Sequence, residues 1–323
     1  MRHVHLLDTS VASDNLGDEI IVSEVRKYVS AHFGDAYISS SSSHDGLGHY
    51  GRKLAEDADL VLMLGTNALS AKYQRRGHFV WSVGRRDFEA LEGKVVFVGV
   101  GASTANQDVH PRQARLLKRL LSPQYKQSVR DETARGILES IGISAINTSC
   151  PTLWRYSAEM PPIPSKSAPA VCFMLTQHKA SENDCKLIQS LRKCYQKLYF
   201  WPQQLRDLGY LKQLTDISDI EIVTPQLEAY DNLLASTDVD VVGTRLHGSI
   251  RGLLHKRRSL AIVIDNRARD IGRETGLPTH SRDELGDQLV QRLSEGFRTE
   301  LNLPVNSIVL FLAQFVKTPI NRP

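Results

Sequence analysis

Val239-Asp-Val-Val242 is a short β-branched run, and Gly243-Thr244 breaks it. From Leu246 onward the apolar residues Leu246, Ile250, Leu253 and Leu254 recur at helical spacing. A buried parallel strand running straight into a helix is the unit of an α/β sheet, and it restricts the fold more than any other stretch of this chain. Arg245 and His247 fall where the strand ends and the helix begins. In open α/β sheets ligands bind outside the carboxyl ends of the strands, and a helix N-terminus offers unpaired N–H groups to an anion. A permanently charged guanidinium two residues from a titratable imidazole therefore reads as an anion site with a proton donor. The plain structural alternative is an arginine bonded to a neighbouring carboxylate and a histidine satisfied in the core.

Strand-like and helix-like segments alternate along the whole chain, which predicts an α/β fold with parallel sheets. Strands are predicted at His3–Leu7, Leu60–Leu64, Lys94–Gly101, Gln127–Arg130, Ala170–Leu175, Leu198–Trp201, Ile220–Val223 and Leu260–Ile264. Helices are predicted at Asp18–Phe33, His110–Leu121, from Asp131 to Gly142, Ser181–Gln196, Leu227–Leu234, Arg269–Thr275 and Ser307–Phe315. The serine run Ser39–Ser43, with Gly46, Gly48 and Gly51, reads as a flexible loop. The glycines around Val98 and Val100 would let a ligand or a second backbone come close.

At 323 residues the chain exceeds the size of one ordinary core. The proline-rich stretch Pro161-Pro-Ile-Pro-Ser-Lys-Ser-Ala-Pro169 marks a boundary. The division expected is an N-terminal α/β domain over 1–155, a linker over 156–169, and a C-terminal α/β domain over 170–323 whose last helix packs back on the body, with the first domain as one place for it. Two such domains imply a cleft between them.

Hydrophobic residues make up 41% and charged residues 24%, values of a globular protein in water. A net charge of +4 suits an anionic substrate or a membrane surface and excludes a nucleic-acid-binding tail. Cys150, Cys172, Cys185 and Cys194 show no C-x-x-C spacing, which suits a reducing interior. No segment has the length of a signal peptide's apolar region or a bilayer span, so a cytoplasmic location is expected. The basic helix with Arg112, Arg115, Lys118 and Arg119 reads as a solvated face, with peripheral contact at the inner membrane face as the alternative. No His, Asp or Glu cluster has metal-ligand spacing, so no metal is expected.

Three blocks then resemble the polysaccharide pyruvyl transferases. They are Asp238-Val-Asp-Val-Val-Gly-Thr-Arg-Leu-His-Gly-Ser249 with Ile264-Asp-Asn-Arg267, then Ser128-Val-Arg-Asp131, and Asp14-Asn-Leu-Gly-Asp-Glu19. The resemblance implies two Rossmann-like domains facing a cleft, in a glycosyltransferase-B-like arrangement. It further implies transfer of a pyruvyl group from phosphoenolpyruvate to a sugar of a cell-surface polysaccharide or its lipid-linked precursor. The acceptor would sit on the first domain and phosphoenolpyruvate on the second, with no cofactor needed.

Carried over, Arg130 and Arg245 would bind the donor's phosphate and carboxylate, with Leu246, Gly248 and Ser249 of the same block beside them. His247 would be the acid. Guanidinium forks fit two anionic groups on a small frame, and an imidazole titrating near neutrality suits proton donation to the methylene carbon. Arg130, like Arg245, sits at a strand-to-helix switch; an ion pair with Asp131 is its plain alternative. Asp18 would orient or deprotonate an acceptor hydroxyl, or else cap the first helix. Asn15 would touch the acceptor or shape the turn, and Arg267 would be a third anion contact. Two departures stand out: Asp14 replaces the family's first loop glycine, and Leu64-Gly-Thr-Asn-Ala-Leu69 keeps only one glycine of the expected glycine-rich turn. They leave open a nucleotide-sugar-dependent glycosyltransferase of the same architecture, and more distantly a scaffolding relative without turnover. Oligomeric state has no signature in the chain.

Overall fold

The computed structural model describes residues 1–73, 81–103 and 108–316. In chain order come β1 (His3–Asp8), α1 (Leu16–His32), β2 (Tyr37–Ser42), α2 (Gly48–Asp57) and β3 (Leu60–Leu64). Next are α3 (Arg85–Leu91), β4 (Val95–Val98), α4 (Pro111–Leu120), β5 (Gln127–Val129), α5 (Glu132–Ser140) and β6 (Ala145–Asn147). After the linker follow β7 (Ala170–Met174), α6 (Asn183–Cys194), β8 (Lys197–Phe200), α7 (Asp207–Leu214), β9 (Ile220–Ile222) and α8 (Leu227–Ser236). The chain closes with β10 (Val239–Gly243), α9 (Leu246–Leu254), β11 (Ser259–Val263), α10 (Asn266–Thr275), β12 (Thr279–Ser281), α11 (Asp287–Glu295) and α12 (Val305–Ala313).

Two compact units result. The first holds Met1–Ser13, Ile21–Ser157 and the C-terminal segment from Leu303; the second holds Asp14–Ile20 and Ala158–Asn302. The sequence division had Asp14–Ile20 in the first domain and 303–323 in the second. Packing assigns them the other way. Ile20 joins the core of Cys172, Met174 and Trp201, while Ile308, Phe311 and Phe315 of the tail pack with Trp154 and Phe33.

In the first unit the sheet runs β2-β1-β3-β4, every pair parallel. All residues of β3 and β4 are buried, as a parallel strand covered on both faces requires. β5 pairs in parallel with β6 and extends the β4 edge partly through side chains. The Phe97 N–H donates to Gln127 Oε1 at 2.8 Å, the Gly99 N–H to Ser128 Oγ at 2.9 Å, and the Val100 N–H to the Ser128 carbonyl at 3.2 Å. The serine run is not a loop: it is β2, paired in register with β1 from His3–Tyr37 to Asp8–Ser42. Serine gives no apolar alternation, so the strand is hidden in the sequence. Its polar side chains are accommodated because Ser39 Oγ bonds His3 Nε2 at 2.8 Å and His5 Nδ1 at 2.7 Å.

The second unit has a six-stranded parallel sheet in the order β12-β11-β10-β7-β8-β9. Counted from β7 that is the Rossmann order 3-2-1-4-5-6, and it reverses between β7 and β10. The expected α/β class with parallel sheets is therefore what the chain adopts. A polar network at the amino end of β10 fixes the second half of the predicted linker. Asp240 is ion-paired with Arg258, both buried, and accepts from Tyr195 Oη at 2.6 Å. Arg258 Nη1 also donates to the Ser165 carbonyl at 3.2 Å, so the end of the linker belongs to this sheet.

Helix boundaries follow local chemistry. Asp131 caps α5 by accepting from the Ala134 N–H at 2.8 Å, and Asp265 caps α10 by accepting from the Arg267 and Ala268 N–H groups. Gly276 ends α10 at φ 75°, a left-handed conformation suited to glycine. The four cysteines are free thiols. Among the described residues no helix is long and apolar enough to cross a membrane.

Candidate functional site

The strand-order reversal of the second unit brings the ends of β7 and β10 together. Thr176 and Thr244, just beyond these strands, share an Oγ1–Oγ1 hydrogen bond of 2.8 Å. Arg245 follows as the residue before α9, its backbone extended at φ −100° and ψ 95°. Its carbonyl accepts the first helical bond, from the Ser249 N–H at 3.0 Å. The N–H groups of Leu246, His247 and Gly248 are thus the first-turn donors for which a helix supplies no acceptor.

The Arg245 side chain is buried and enclosed by acceptors. Nη2 donates to Asp207 Oδ1 and Oδ2 at 2.5 and 2.6 Å and to Gln204 Oε1 at 2.8 Å. Nε donates to the Leu175 carbonyl at 3.0 Å and to Asp207 Oδ2 at 3.1 Å. Among the described residues Nη1 meets no acceptor. Asp207 also accepts from the backbone N–H groups of Gln177 and Gln204. It holds the arginine and the loops around it in one piece.

The Asp14–Asp18 loop reaches the same place. Gln204 Nε2 donates to Asp14 Oδ1 at 2.8 Å, and Gln203 Nε2 to Asn15 Oδ1 at 2.9 Å. The Leu16 N–H donates to the Gln203 carbonyl at 2.9 Å. Asn15 shapes the turn by accepting from the Gly17 N–H at 3.1 Å. Asp18 is the third residue of α1 and is buried. Gly17 and Gly248 both lie against Gln203: a Cβ on Gly17 would come to 2.6 Å of its Nε2, and one on Gly248 to 2.8 Å of its Oε1 and into Met174 Sδ. The Gly248 carbonyl accepts from Tyr230 Oη at 2.9 Å, and Trp201 stacks on Tyr230 with centroids 3.9 Å apart.

His247 is buried in the first turn of α9, beside buried Leu246 and Ser249, whose Oγ donates to the Arg245 carbonyl at 3.3 Å. Arg267 is partly buried and forks onto Asp265 Oδ2 at 2.9 and 2.5 Å. The plain alternative for Arg245 is thus part of the structure: it is ion-paired, with Asp207.

Arg130 lies in the other unit, after β5. Its buried guanidinium donates to Asn67 Oδ1, and Nε lies 3.7 Å from Asp131 Oδ2. A Cβ on Gly101 would run into that guanidinium, so the glycine beyond β4 makes room for Arg130 itself. Both departures in the sequence now have partners. Asp14 binds Gln204, which binds Arg245, and Asn67 binds Arg130.

The sequence pattern did not reveal Asp207, Gln203, Gln204 and His178. The two glutamines follow β8, and His178 sits two residues past Thr176 at the end of β7. Their one legible signal is position after a strand of a parallel sheet. Among the described residues no group of three or more His, Cys, Asp or Glu is placed to hold a metal ion.

The family model for polysaccharide pyruvyl transferase matches residues 15–266, a span that runs from the Asn15 loop through the Arg245 block to the start of α10. The chain belongs to the polysaccharide pyruvyl transferase family. No curated protein matches this pyruvyl transferase family member. Solved structures similar to it include three with the following likeness. The UDP-GlcNAc 2-epimerase from Neisseria meningitidis bound to UDP-GlcNAc is 14% identical, covering 81% of this chain and 82% of its own, at TM-score 0.42. The glycosyltransferase SnogD from Streptomyces nogalater is 12% identical over 98% of this chain and 94% of its own, at TM-score 0.40. The E. coli heptosyltransferase WaaC with ADP is 13% identical over 98% and 99%, at TM-score 0.36. Identities and scores this low say nothing of substrate or of residue roles.

Proposed function

We propose that this protein transfers the pyruvyl group of phosphoenolpyruvate to two hydroxyls of a sugar, in a cell-surface polysaccharide or its lipid-linked precursor, forming a ketal. The observation that carries the reading is the position of Arg245-Leu-His247. This block lies within the family-matched span and at the strand-order reversal of the second sheet, where an anionic ligand meets a helix N-terminus.

In this reading Arg245, the first-turn N–H groups of α9 and Arg267 hold phosphate and carboxylate. His247 gives a proton to the methylene carbon, and the central carbon becomes electron-poor. One sugar hydroxyl adds there. The second hydroxyl then displaces the phosphate, which leaves as hydrogen phosphate. Of the two protons released by the hydroxyls, one replaces the proton given to the methylene carbon and the other leaves on phosphate. Asn15, hydrogen-bonded to Gln203, and Asp18 would contact the acceptor. No cofactor or metal enters these steps.

The test is a thermal melt with phosphoenolpyruvate and with a panel of nucleotide sugars, followed by an assay for phosphate released in the presence of candidate sugars. A ligand at a hundredfold its Kd stabilises the fold by about 2.7 kcal/mol, a shift that is easily read. Stabilisation by phosphoenolpyruvate, and phosphate release that His247→Gln abolishes, support the assignment. Stabilisation by a nucleotide sugar alone makes the protein a glycosyltransferase instead.

A further inference from the structure

We propose that His178 is the base that takes the proton from the attacking sugar hydroxyl. The role rests on the pyruvyl-transfer reading and adds a residue that neither the motif blocks nor the family resemblance supplies.

The placement comes first. β7 and β10 are neighbours at the reversal of the sheet, and the Thr176–Thr244 bond ties their ends together. Arg245 lies one residue beyond that tie on one strand, and His178 two residues beyond it on the other. The turn that carries His178 is held on several sides. The Gln177 N–H donates to Asp207 Oδ1 at 3.1 Å, the Lys179 N–H to the Thr176 carbonyl at 3.1 Å, and the Ala180 N–H to the Gln177 carbonyl at 2.9 Å. Arg282 Nη1 donates to the Lys179 carbonyl at 2.7 Å. His178 is at the surface, partly covered by its neighbours, and its backbone is fixed, which is what a residue meeting a diffusing substrate requires.

The surroundings set its chemistry. The ring lies within the electrostatic reach of Gln204, the residue that also joins Arg245 to Asp14. The charged groups facing it are Arg245, before α9, Arg267, in α10, and the Asp207 carboxylate, in α7. Partial burial, and then the Arg245 guanidinium, hold its pKa below the ordinary imidazole value. At neutral pH the ring is therefore uncharged with a lone pair available, the form that accepts a proton. A neutral imidazole is poorly suited to protonate the methylene carbon, so His178 and His247 would divide the work as base and acid.

The step balances. The hydroxyl oxygen forms its bond to the central carbon of the donor with the electron pair freed from its O–H bond, and the proton passes to His178. The double-bond electrons of the donor have by then gone into the new methyl C–H bond. When the second hydroxyl closes the ketal its proton restores His247, the His178 imidazolium gives its proton to the departing phosphate, and both rings return to their starting forms.

The experiment compares wild type, His178→Gln and His178→Ala in three measurements: the melt shift with phosphoenolpyruvate, phosphate release with a sugar acceptor across pH, and release with added imidazole. Glutamine stays polar at a similar size and cannot accept a proton. The expected result is an unchanged phosphoenolpyruvate shift, a kcat lower by about 10²–10⁴-fold, loss of the acid limb in kcat/KM, and partial recovery of the alanine variant with imidazole. Turnover of His178→Gln within about threefold of wild type, with the acid limb intact, overturns the role. Loss of the phosphoenolpyruvate shift in both variants makes His178 a donor-binding residue and also overturns it. A wild type that neither binds phosphoenolpyruvate nor releases phosphate from it fails the pyruvyl-transfer reading itself.

Discussion

Gln204 and Asp14, 190 residues apart in the chain, are joined by a hydrogen bond of 2.8 Å, and the other end of the same amide accepts from Arg245 at 2.8 Å. One side chain thus ties the Asp14–Asp18 loop to the Arg245 block. Gln204→Leu removes both bonds while leaving the Arg245–Asp207 pair. A hydrogen bond to a charged group contributes about 1.5–3 kcal/mol. The variant should melt earlier and bind phosphoenolpyruvate at least tenfold more weakly. Unchanged affinity by calorimetry would mean that the loop and the block act separately.

The buried Arg245–Asp207 pair, with side chains 6% and 0% exposed, predicts a strong asymmetry between single and double replacements. Asp207→Ala leaves the guanidinium buried without its carboxylate and should cost about 3–5 kcal/mol in unfolding experiments. Arg245→Met combined with Asp207→Leu should recover part of that loss, because apolar side chains of similar volume are tolerated where a buried pair stood. Turnover should stay absent in the double variant. A double variant as unstable as Asp207→Ala would place the cost in the Asp207 bonds to the Gln177 and Gln204 backbone.

Two glycines should respond with opposite sign. Gly101→Ala drives a methyl into the Arg130 guanidinium and should destabilise by about 1–3 kcal/mol while lowering turnover. Gly209 lies in α7, exposed, with nothing within 4 Å of its would-be Cβ. Gly209→Ala should stabilise by about 0.5–1 kcal/mol, since alanine loses less backbone freedom on entering a helix. Chemical denaturation of both variants measures the difference.

His5 gives the first unit a dependence on pH. It is fully buried on β1, and burial, followed by the nearby His3, lowers its pKa to about 4 from an ordinary 6.5. The fold holds the neutral ring, so its contribution is complete above pH 6.5 and is lost as pH falls toward 4. The loss approaches roughly 3 kcal/mol at the lower end, because each tenfold change in proton affinity is worth about 1.36 kcal/mol. Stability measured between these values should decline more steeply in wild type than in His5→Asn. Parallel curves would assign the decline to other groups.

Much of the site is legible in the chain itself. The β-branched run at Val239–Val242 followed by helical spacing places Arg245 and His247 at a strand-to-helix switch, and both lie there. Ser128-Val-Arg-Asp131 places Arg130 and its capping aspartate with equal accuracy. β2 is hidden because Tyr37-Ile-Ser-Ser-Ser-Ser42 has no apolar alternation, and its strand character comes from pairing with β1. α2, α3, α7 and α11 are each ten residues or shorter, and β6 and β12 are each only three residues long, too little for a firm period.

The sequence by itself determined the α/β class, the order of most elements and the position of each motif at the end of a strand, because these rest on local periodicity and capping. Only the tertiary structure decided the partners. Asp207 holds Arg245, Gln204 joins it to Asp14, Asn67 holds Arg130, and the Asp14–Ile20 segment belongs to the second unit. These relations span up to 190 residues and depend on which strands become neighbours. Hydrogen bonds between such distant side chains carry no periodic signal, since the sheet order that brings them together is set by packing of the whole unit.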